Sequence, residues 1–310
     1  MKNLVLKTNS INMIGCSLIW IFVSVHTLSA QENVVSFDIG SITVTLLSEG
    51  QRQSGTNVLV GATEEMVKQA IPEGTYPSAT NVFLVETADN TMLIDAGLGQ
   101  KTLDNLALYG KKASDIDAVF ITHFHGDHIG SLLLNNQKSY PNAKLYISKP
   151  EYDYYMSDKT LNSLPENRRG SITGAREILK AYQDKLVIFT PNKIEKAKEL
   201  LPGLRSVALY GHTPGHSGFL IESEGQKLFF WGDLTHAMAI QMPFPQVAMT
   251  YDSDDKEAVK IRQHILTYLA NSETRIAGAH IPYPGIGFLK DNGCNGYNFV
   301  YLCSCEGKYP

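Results

Sequence analysis

The sequence predicts an α/β protein in which two β-sheets pack together under covering helices. Three observations lead there. Apolar or alternating runs of strand length occur in both halves of the chain, amphipathic helical stretches lie between them, and the chemically active residue types follow directly on strand ends. Residues 35–49 alternate apolar and polar (Val35, Phe37, Ile39, then Ile42, Val44, Leu46), which reads as strands. Residues 50–80 are rich in Gly, Pro and Thr and read as irregular. Asn81 to Glu86 and Thr91 to Ile94 flank Asp89-Asn90 and predict a hairpin that ends at Asp95-Ala96-Gly97. Residues 102–109 read as a helix stopped by Gly110. Ala118-Val119-Phe120-Ile121 is a short buried strand, and Ile129 to Leu134 is expected to continue as a helix.

The second half repeats the mixture. Residues 150–184 predict a polar helical excursion that contains Tyr152, Tyr154 and Tyr155. Ser206 to Tyr210 reads as a strand. Gly218 to Glu222 and Lys227 to Trp231 form a hairpin around Glu224-Gly225. Asp254 with Glu257 three residues later is a capping signal. The helix that follows, roughly 255–270, lines up Ala258, Ile261, Ile265 and Leu269 on one face. Arg275 to Ala279 then leads to His280.

The first thirty residues read as an export signal. Lys2 and Lys7 precede the apolar run Met13 to Val23, and Thr27-Leu28-Ser29-Ala30 offers small residues for cleavage before Gln31. The run is short for a transmembrane helix, so no stable membrane anchor is expected after cleavage. Residues 31–310 suit one large domain in the periplasm or outside the cell. The chain has 27 Lys and Arg against 31 Asp and Glu, a net charge of −4, and loss of the two lysines makes it −6. An acidic exported chain without a basic patch is a poor nucleic-acid binder. Cys294, Cys303 and Cys305 remain, enough for one disulfide in any of three pairings. None has a histidine at metal spacing.

The chemistry concentrates in Thr122-His123-Phe124-His125-Gly126-Asp127-His128, which holds three imidazoles and a carboxylate. These are groups that zinc prefers. A turn with this spacing can aim His123 and His125 at one metal and Asp127 with His128 at a second. Three further candidate ligands, His216, Asp233 and His280, also follow apolar strands and stand beside glycine or proline, where the backbone turns sharply. Five imidazoles and two carboxylates suffice for two zinc ions once one carboxylate bridges them. His212 reads as a packed or surface histidine, and His264 as solvent-facing on its helix.

At this point the chain resembles the metallo-β-lactamase-fold hydrolases. They share an Asp after a hairpin (Asp95), then H-x-H-x-D-H, then a distant His, Asp and His. The resemblance spans nearly all of residues 31–310 and implies an αββα four-layer sandwich with the metals at one edge of the sheets. It implies His123, His125 and His216 at one metal, Asp127, His128 and His280 at the other, and Asp233 bridging both. Asp95 would orient a ligand without touching metal. Gly211-His212-Thr213-Pro214-Gly215-His216, Gly232-Asp233-Leu234, Tyr251-Asp252-Ser253-Asp254 and Pro284-Gly285-Ile286-Gly287 are similar to the methyl parathion hydrolase branch, whose relatives include N-acyl homoserine lactonases and whose members are often dimers. A homodimer is the corresponding expectation.

The resemblance implies hydrolysis of a small molecule. A hydroxide bridging two Zn2+ ions is the expected nucleophile, because zinc lowers the pKa of bound water from about 15.7 toward roughly 7. Manganese, iron or cobalt also suit His/Asp sites. Asp127 and Asp233 are the catalytic carboxylates. His236 stands three residues after Asp233, where lactonases of this fold carry a substrate-touching tyrosine, and is a candidate proton donor. Phe124, Tyr155 and Tyr283 are candidates for the substrate wall. A lactone, an ester and a phosphotriester rank together as the target bond. A β-lactamase ranks below them, as do an iron-dependent oxidoreductase and a non-catalytic binding protein on the same fold.

Overall fold

In the computed structural model, described here for residues 34–302, period-2 burial sorts each strand's side chains between two cores. Val44 and Leu46 face one way with Phe83 and Val85, while Leu47 and Leu84 between them face the other. The second sheet does the same: Phe219, Ile221, Leu228 and Phe230 turn to the shared core and Leu220 and Phe229 turn outward. Both faces of each sheet are therefore apolar, and each must be covered.

The first sheet has seven strands in chain order: β1 (Val34–Ile39), β2 (Ile42–Gly55), β3 (Thr75–Glu86), β4 (Thr91–Ile94), β5 (Ala118–Phe120), β6 (Lys144–Ser148) and β7 (Leu186–Phe189). Strands β1 to β4 pair antiparallel, β4 to β7 parallel. The second also keeps chain order: β8 (Lys198–Leu201), β9 (Leu204–Ala208), β10 (Ser217–Ser223), β11 (Gln226–Phe230), β12 (Arg275–Ala277), β13 (Ile286–Asp291) and β14 (Tyr297–Tyr301). Only β11 and β12 pair parallel in it. Parallel neighbours need a crossover. Helices Gln100–Leu108 and Glu166–Ala181 lie in such crossovers and cover the first sheet, with Leu106, Ile172, Ile178 and Leu179 against Leu93, Val119 and Leu145. Helix Asp255–Ala270 covers the second through Ile265, Leu266 and Leu269. Between the sheets Phe120 meets Phe219 edge-on at 5.4 Å and Phe83 meets Phe230 at 5.3 Å. The layers run helix, sheet, sheet, helix, as expected.

Local detail differs from the sequence reading at two points beside the site: residues 50–80, read as irregular, carry the end of β2, a helix at Glu64–Ala70 and the start of β3. Residues 129–134 do not continue as a helix: it spans Gly126–Ile129 and gives way to a hairpin of Leu133–Leu134 with Gln137–Lys138. Asn135 and Asn136 both take left-handed backbone (φ 51° and 60°), the turn that joins two short strands. Cys294 is exposed and without a disulfide partner among the described residues. The expected leader, residues 1–30, lies outside them, as do Cys303 and Cys305. Among the described residues no helix is long and apolar enough to cross a membrane.

Candidate metal centre

Four segments deliver donors to one edge of the sandwich, the ends of β5, β11 and β12 and the loop from β9 to β10, and the end of β4 adds a residue that orients them. After β4 the backbone turns at Asp95 (φ 65°), whose N–H still bonds to Phe120 O at 2.9 Å. The Asp95 carboxylate then faces the next loop. Oδ1 accepts the Thr122 N–H at 2.8 Å and Oδ2 pairs with His128 Nδ1 at 2.8 Å. A carboxylate on Nδ1 places the proton there and leaves the Nε2 lone pair free.

Two donor groups result, and a third, Asp233 with His236 and His280, overlaps both. His123 Nε2, His125 Nδ1, His212 Nε2 and Asp233 Oδ2 form the first: His212 stands 3.2 Å from His123, 2.9 Å from His125 and 3.2 Å from Asp233. Donors held tetrahedrally at zinc distance stand ~3.3 Å apart, so the spacing fits one ion. Asp127, His128 and His280 form the second, with His280 Nε2 3.5 Å from Asp127 Oδ2. Asp233 joins the groups, because Oδ1 stands 3.1 Å from His128 Nε2 while Oδ2 faces the first group and His280. His128 Nε2 and Asp233 Oδ1 are buried with no hydrogen-bond partner. Orphaned buried acceptors are costly, and a divalent ion would satisfy both. The residues fit two such ions.

The structure corrects the sequence reading at His216. Its Nδ1 bonds to Leu209 O at 3.0 Å, and its Nε2 accepts the Asp233 N–H at 3.0 Å. Both nitrogens are occupied, so no lone pair is left for a metal. The ring instead braces the backbone of Asp233. His212, set aside from the sequence, takes the expected place. Asp252 Oδ1 bonds to His212 Nδ1 at 2.8 Å and serves it as Asp95 serves His128. Spacing alone could not choose between two histidines four residues apart in one loop. The other expected donors, His123, His125, Asp127, His128, Asp233 and His280, come together.

Electrostatics follow from burial and from Asp233. Burial lowers His125 and His216, each to about 3, and His236 to about 4. Burial also acts downward on His212, but its hydrogen bonds to the Asp233 and Asp252 carboxylates carry it up to about 9. Burial acts upward on Asp233, yet the surrounding histidines, His128 first, hold its carboxyl well below the usual range. His236 Nε2 lies 2.8 Å from Asp233 Oδ2, and its ring stacks on His280 at 4.7 Å.

A cavity of about 200 Å³ opens over the donors, lined by Arg52, His125, Asp127, Asp233, His236, Tyr251 and His280. A larger one of about 410 Å³ shares His125 and Tyr251 with it and extends along Tyr154, Tyr155, Asn167 and Arg168. Tyr155 thus lines the larger cavity. Phe124 is buried behind the wall, its ring edge-on to Tyr155 at 5.0 Å. Tyr283 lines neither cavity and packs against the core between the sheets. Tyr251, Asp252 and Arg52 carried no role in the sequence reading. Tyr251 packs edge-on to His236 at 4.8 Å.

Residues 75–260 match the model of the metallo-beta-lactamase superfamily, more than half of the chain. The chain belongs to that superfamily. A Bacillus subtilis relative, the uncharacterized protein YobT, is 30% identical over 192 residues, which cover 59% of this chain and 76% of YobT. A metal-dependent hydrolase of Alkaliphilus metalliredigens is 30% identical over 162 residues, 52% of this chain and 63% of the relative. Among solved structures, AidC, a dizinc quorum-quenching lactonase with bound N-hexanoyl-L-homoserine product, superposes with a TM-score of 0.79 at 27% identity, covering 87% of this chain and 98% of AidC. The hydrolase AbOPH of the beta lactamase superfamily superposes at 0.80 with 24% identity and the same coverage, a likeness of fold. This is a metal-dependent hydrolase superfamily, and the His/Asp groups of this member are its candidate divalent-metal ligands.

Proposed function

We propose that the chain is an exported dinuclear zinc hydrolase that opens a lactone or a related ester. One observation carries the reading: two donor groups share Asp233 at the floor of a cleft that widens along Tyr154 and Tyr155. The likeness to AidC supports a lactone ahead of a phosphotriester. In this reading His123, His125 and His212 would hold one ion, Asp127, His128 and His280 the other, and Asp233 would reach both. When bound, the pair supplies a hydroxide at neutral pH and polarises the substrate oxygen.

The chain's own residues do the rest. Asp95 and Asp252 fix the tautomers of His128 and His212, so that each presents Nε2 to the centre. His236, bonded to Asp233 Oδ2, would relay to the departing oxygen the proton that the attacking water gives up to that carboxylate. Tyr251 lines both cavities, and burial raises its phenol so that it stays a hydrogen-bond donor. It supplies a hydroxyl to the substrate where His236 replaces the tyrosine expected after Asp233. The larger cavity takes the arm of the substrate away from the scissile bond. The protein acts in the periplasm or outside the cell, after loss of residues 1–30.

The test is a hydrolysis screen of residues 31–310 with an acyl homoserine lactone, an aryl ester, a phosphotriester and a cephalosporin, with zinc counted per chain. Lactone turnover with about two zincs per chain is the expected result. Cephalosporin turnover alone, or no bound metal, rejects the reading.

A further inference from the structure

Glu151 is a buried carboxylate that the proposed reaction leaves unused. It lies in the first turn of helix Lys149–Met156, 1% exposed. One oxygen accepts the Phe124 N–H at 2.8 Å. The other accepts the Thr213 hydroxyl and the Gly215 N–H, each at 2.8 Å. These donors sit on loops that belong to different sheets. Phe124 stands between His123 and His125 on the loop after β5, while Thr213 and Gly215 follow His212 on the loop from β9 to β10. Ser148 Oγ adds a bond to Gly215 O at 2.6 Å. Gly215 has no room for a side chain, because a Cβ there would collide with the Glu151 backbone.

We propose that Glu151 is a positioning residue that clamps the two loops together and so sets the spacing of the His123, His125 and His212 donors. The inference rests on the dinuclear reading above. The three imidazoles reach one group from two sheets, whose loops are joined at their bases by one backbone bond, Ser217 N–H on Thr122 O at 2.9 Å. Glu151 ties the loops together beside the histidines themselves, with both carboxylate oxygens. Only an all-acceptor group suits three inward-pointing donors: a glutamine would turn its NH2 against a donor and release one loop. The second donor group is held differently. Asp95 braces His128, and Ala79 O bonds to His280 Nδ1 at 2.8 Å. The clamp therefore acts on one half of the centre. Its helix also carries Tyr154 and Tyr155 of the larger cavity, which makes that wall and the first donor group a single mechanical unit.

The test is Co2+ and Zn2+ titration of metal-free wild type and Glu151→Gln, read by metal per chain against a competing chelator and by the visible cobalt spectrum. Folding is checked by circular dichroism. Wild type should bind two ions. Glu151→Gln should keep one at wild-type affinity and bind the other at least tenfold more weakly. A purely structural glutamate would lower the unfolding midpoint and leave both ions in place, and that result overturns the proposal. If Glu151→Gln does not fold, Thr213→Val decides, since it removes one donor and keeps the charge. Weaker binding of one ion supports the clamp, and unchanged binding of both rejects it. A wild type that binds no metal rejects the centre itself, and does so without reference to any substrate.

Discussion

His212 and His216 share one loop, yet their rings have opposite uses. His216 spends both nitrogens on backbone groups and braces the Asp233 turn, while His212 turns Nε2 to the centre because Asp252 holds its Nδ1. The variants should therefore separate. His212→Ala should lose one of the two metals and at least ~10²-fold in kcat/KM, the scale seen when a charge-stabilising group is removed, with little change in folding. His216→Asn should keep its metals and lose stability, by about 2–4 kcal/mol for a buried ring bonded at both nitrogens, measured by urea denaturation. Equal metal loss in both variants would contradict the geometry. The same ring sets a pH dependence. Burial lowers His216 to about 3 from its ordinary 6.5. Between those values the unfolded chain binds a proton that the fold refuses, so stability rises with pH there. The advantage of wild type over His216→Asn, measured without metal, should be full above pH 6.5 and shrink as the pH falls toward 3. An advantage that grew on acidification would refute the assignment.

Helix Asp255–Ala270 links element packing to the centre. Its face of Ile265, Leu266 and Leu269 covers the second sheet, and this period was legible in the sequence together with the Asp254 cap, whose carboxylate accepts the Glu257 N–H at 3.0 Å. The role of Arg262 was not legible, because a charged residue in an amphipathic helix reads as solvent-facing. It is in fact 1% exposed. It donates to Leu234 O at 2.7 Å and Val247 O at 2.6 Å, with Asp252 Oδ2 3.8 Å away. It ties the segment after Asp233 to the segment that carries Tyr251 and Asp252. Arg262→Met should cost about 3–5 kcal/mol, the scale for breaking a buried charge network, and should weaken metal binding through His212. Asp254→Ala, at the start of the same helix, should cost only about 1 kcal/mol and leave metal binding unchanged. Chemical denaturation of the two variants measures the contrast, and equal costs would mean that Arg262 only packs. The hairpin at Asn135-Asn136 was missed for a similar reason. An apolar run from Ile129 to Leu134 carries no sign of left-handed backbone until the turn itself is seen.

At the scale of the molecule, the sandwich brings together donors from segments far apart in the chain. The sheets were legible because alternation marks strands whatever their partners. The meeting of their ends was legible only through the spacing of the histidine motif and the resemblance it carried. Periodicity says nothing of tertiary contacts such as Asn81 Nδ2 on Gly278 O and Ile281 O, at 3.1 and 2.8 Å, which fix the His280 turn against the first sheet. A centre assembled this way exists only in the folded chain, so the proposed metals would bind the native state and stabilise it by mass action. At one hundred times the dissociation constant each ion adds about 2.7 kcal/mol, which in a chain of this size raises the midpoint by about 2–4 °C per kcal/mol. Chelation should therefore lower the melting temperature of the wild type by several degrees and abolish turnover, and zinc should restore both. Asp233→Ala removes the shared donor. Its melting temperature should rise with zinc clearly less than the wild type's, while His216→Asn, though less stable, should still respond as the wild type does. Calorimetry with and without zinc on these three proteins separates a carboxylate that joins two ions from one that merely packs among histidines, because only the first makes the zinc response shrink with loss of Asp233.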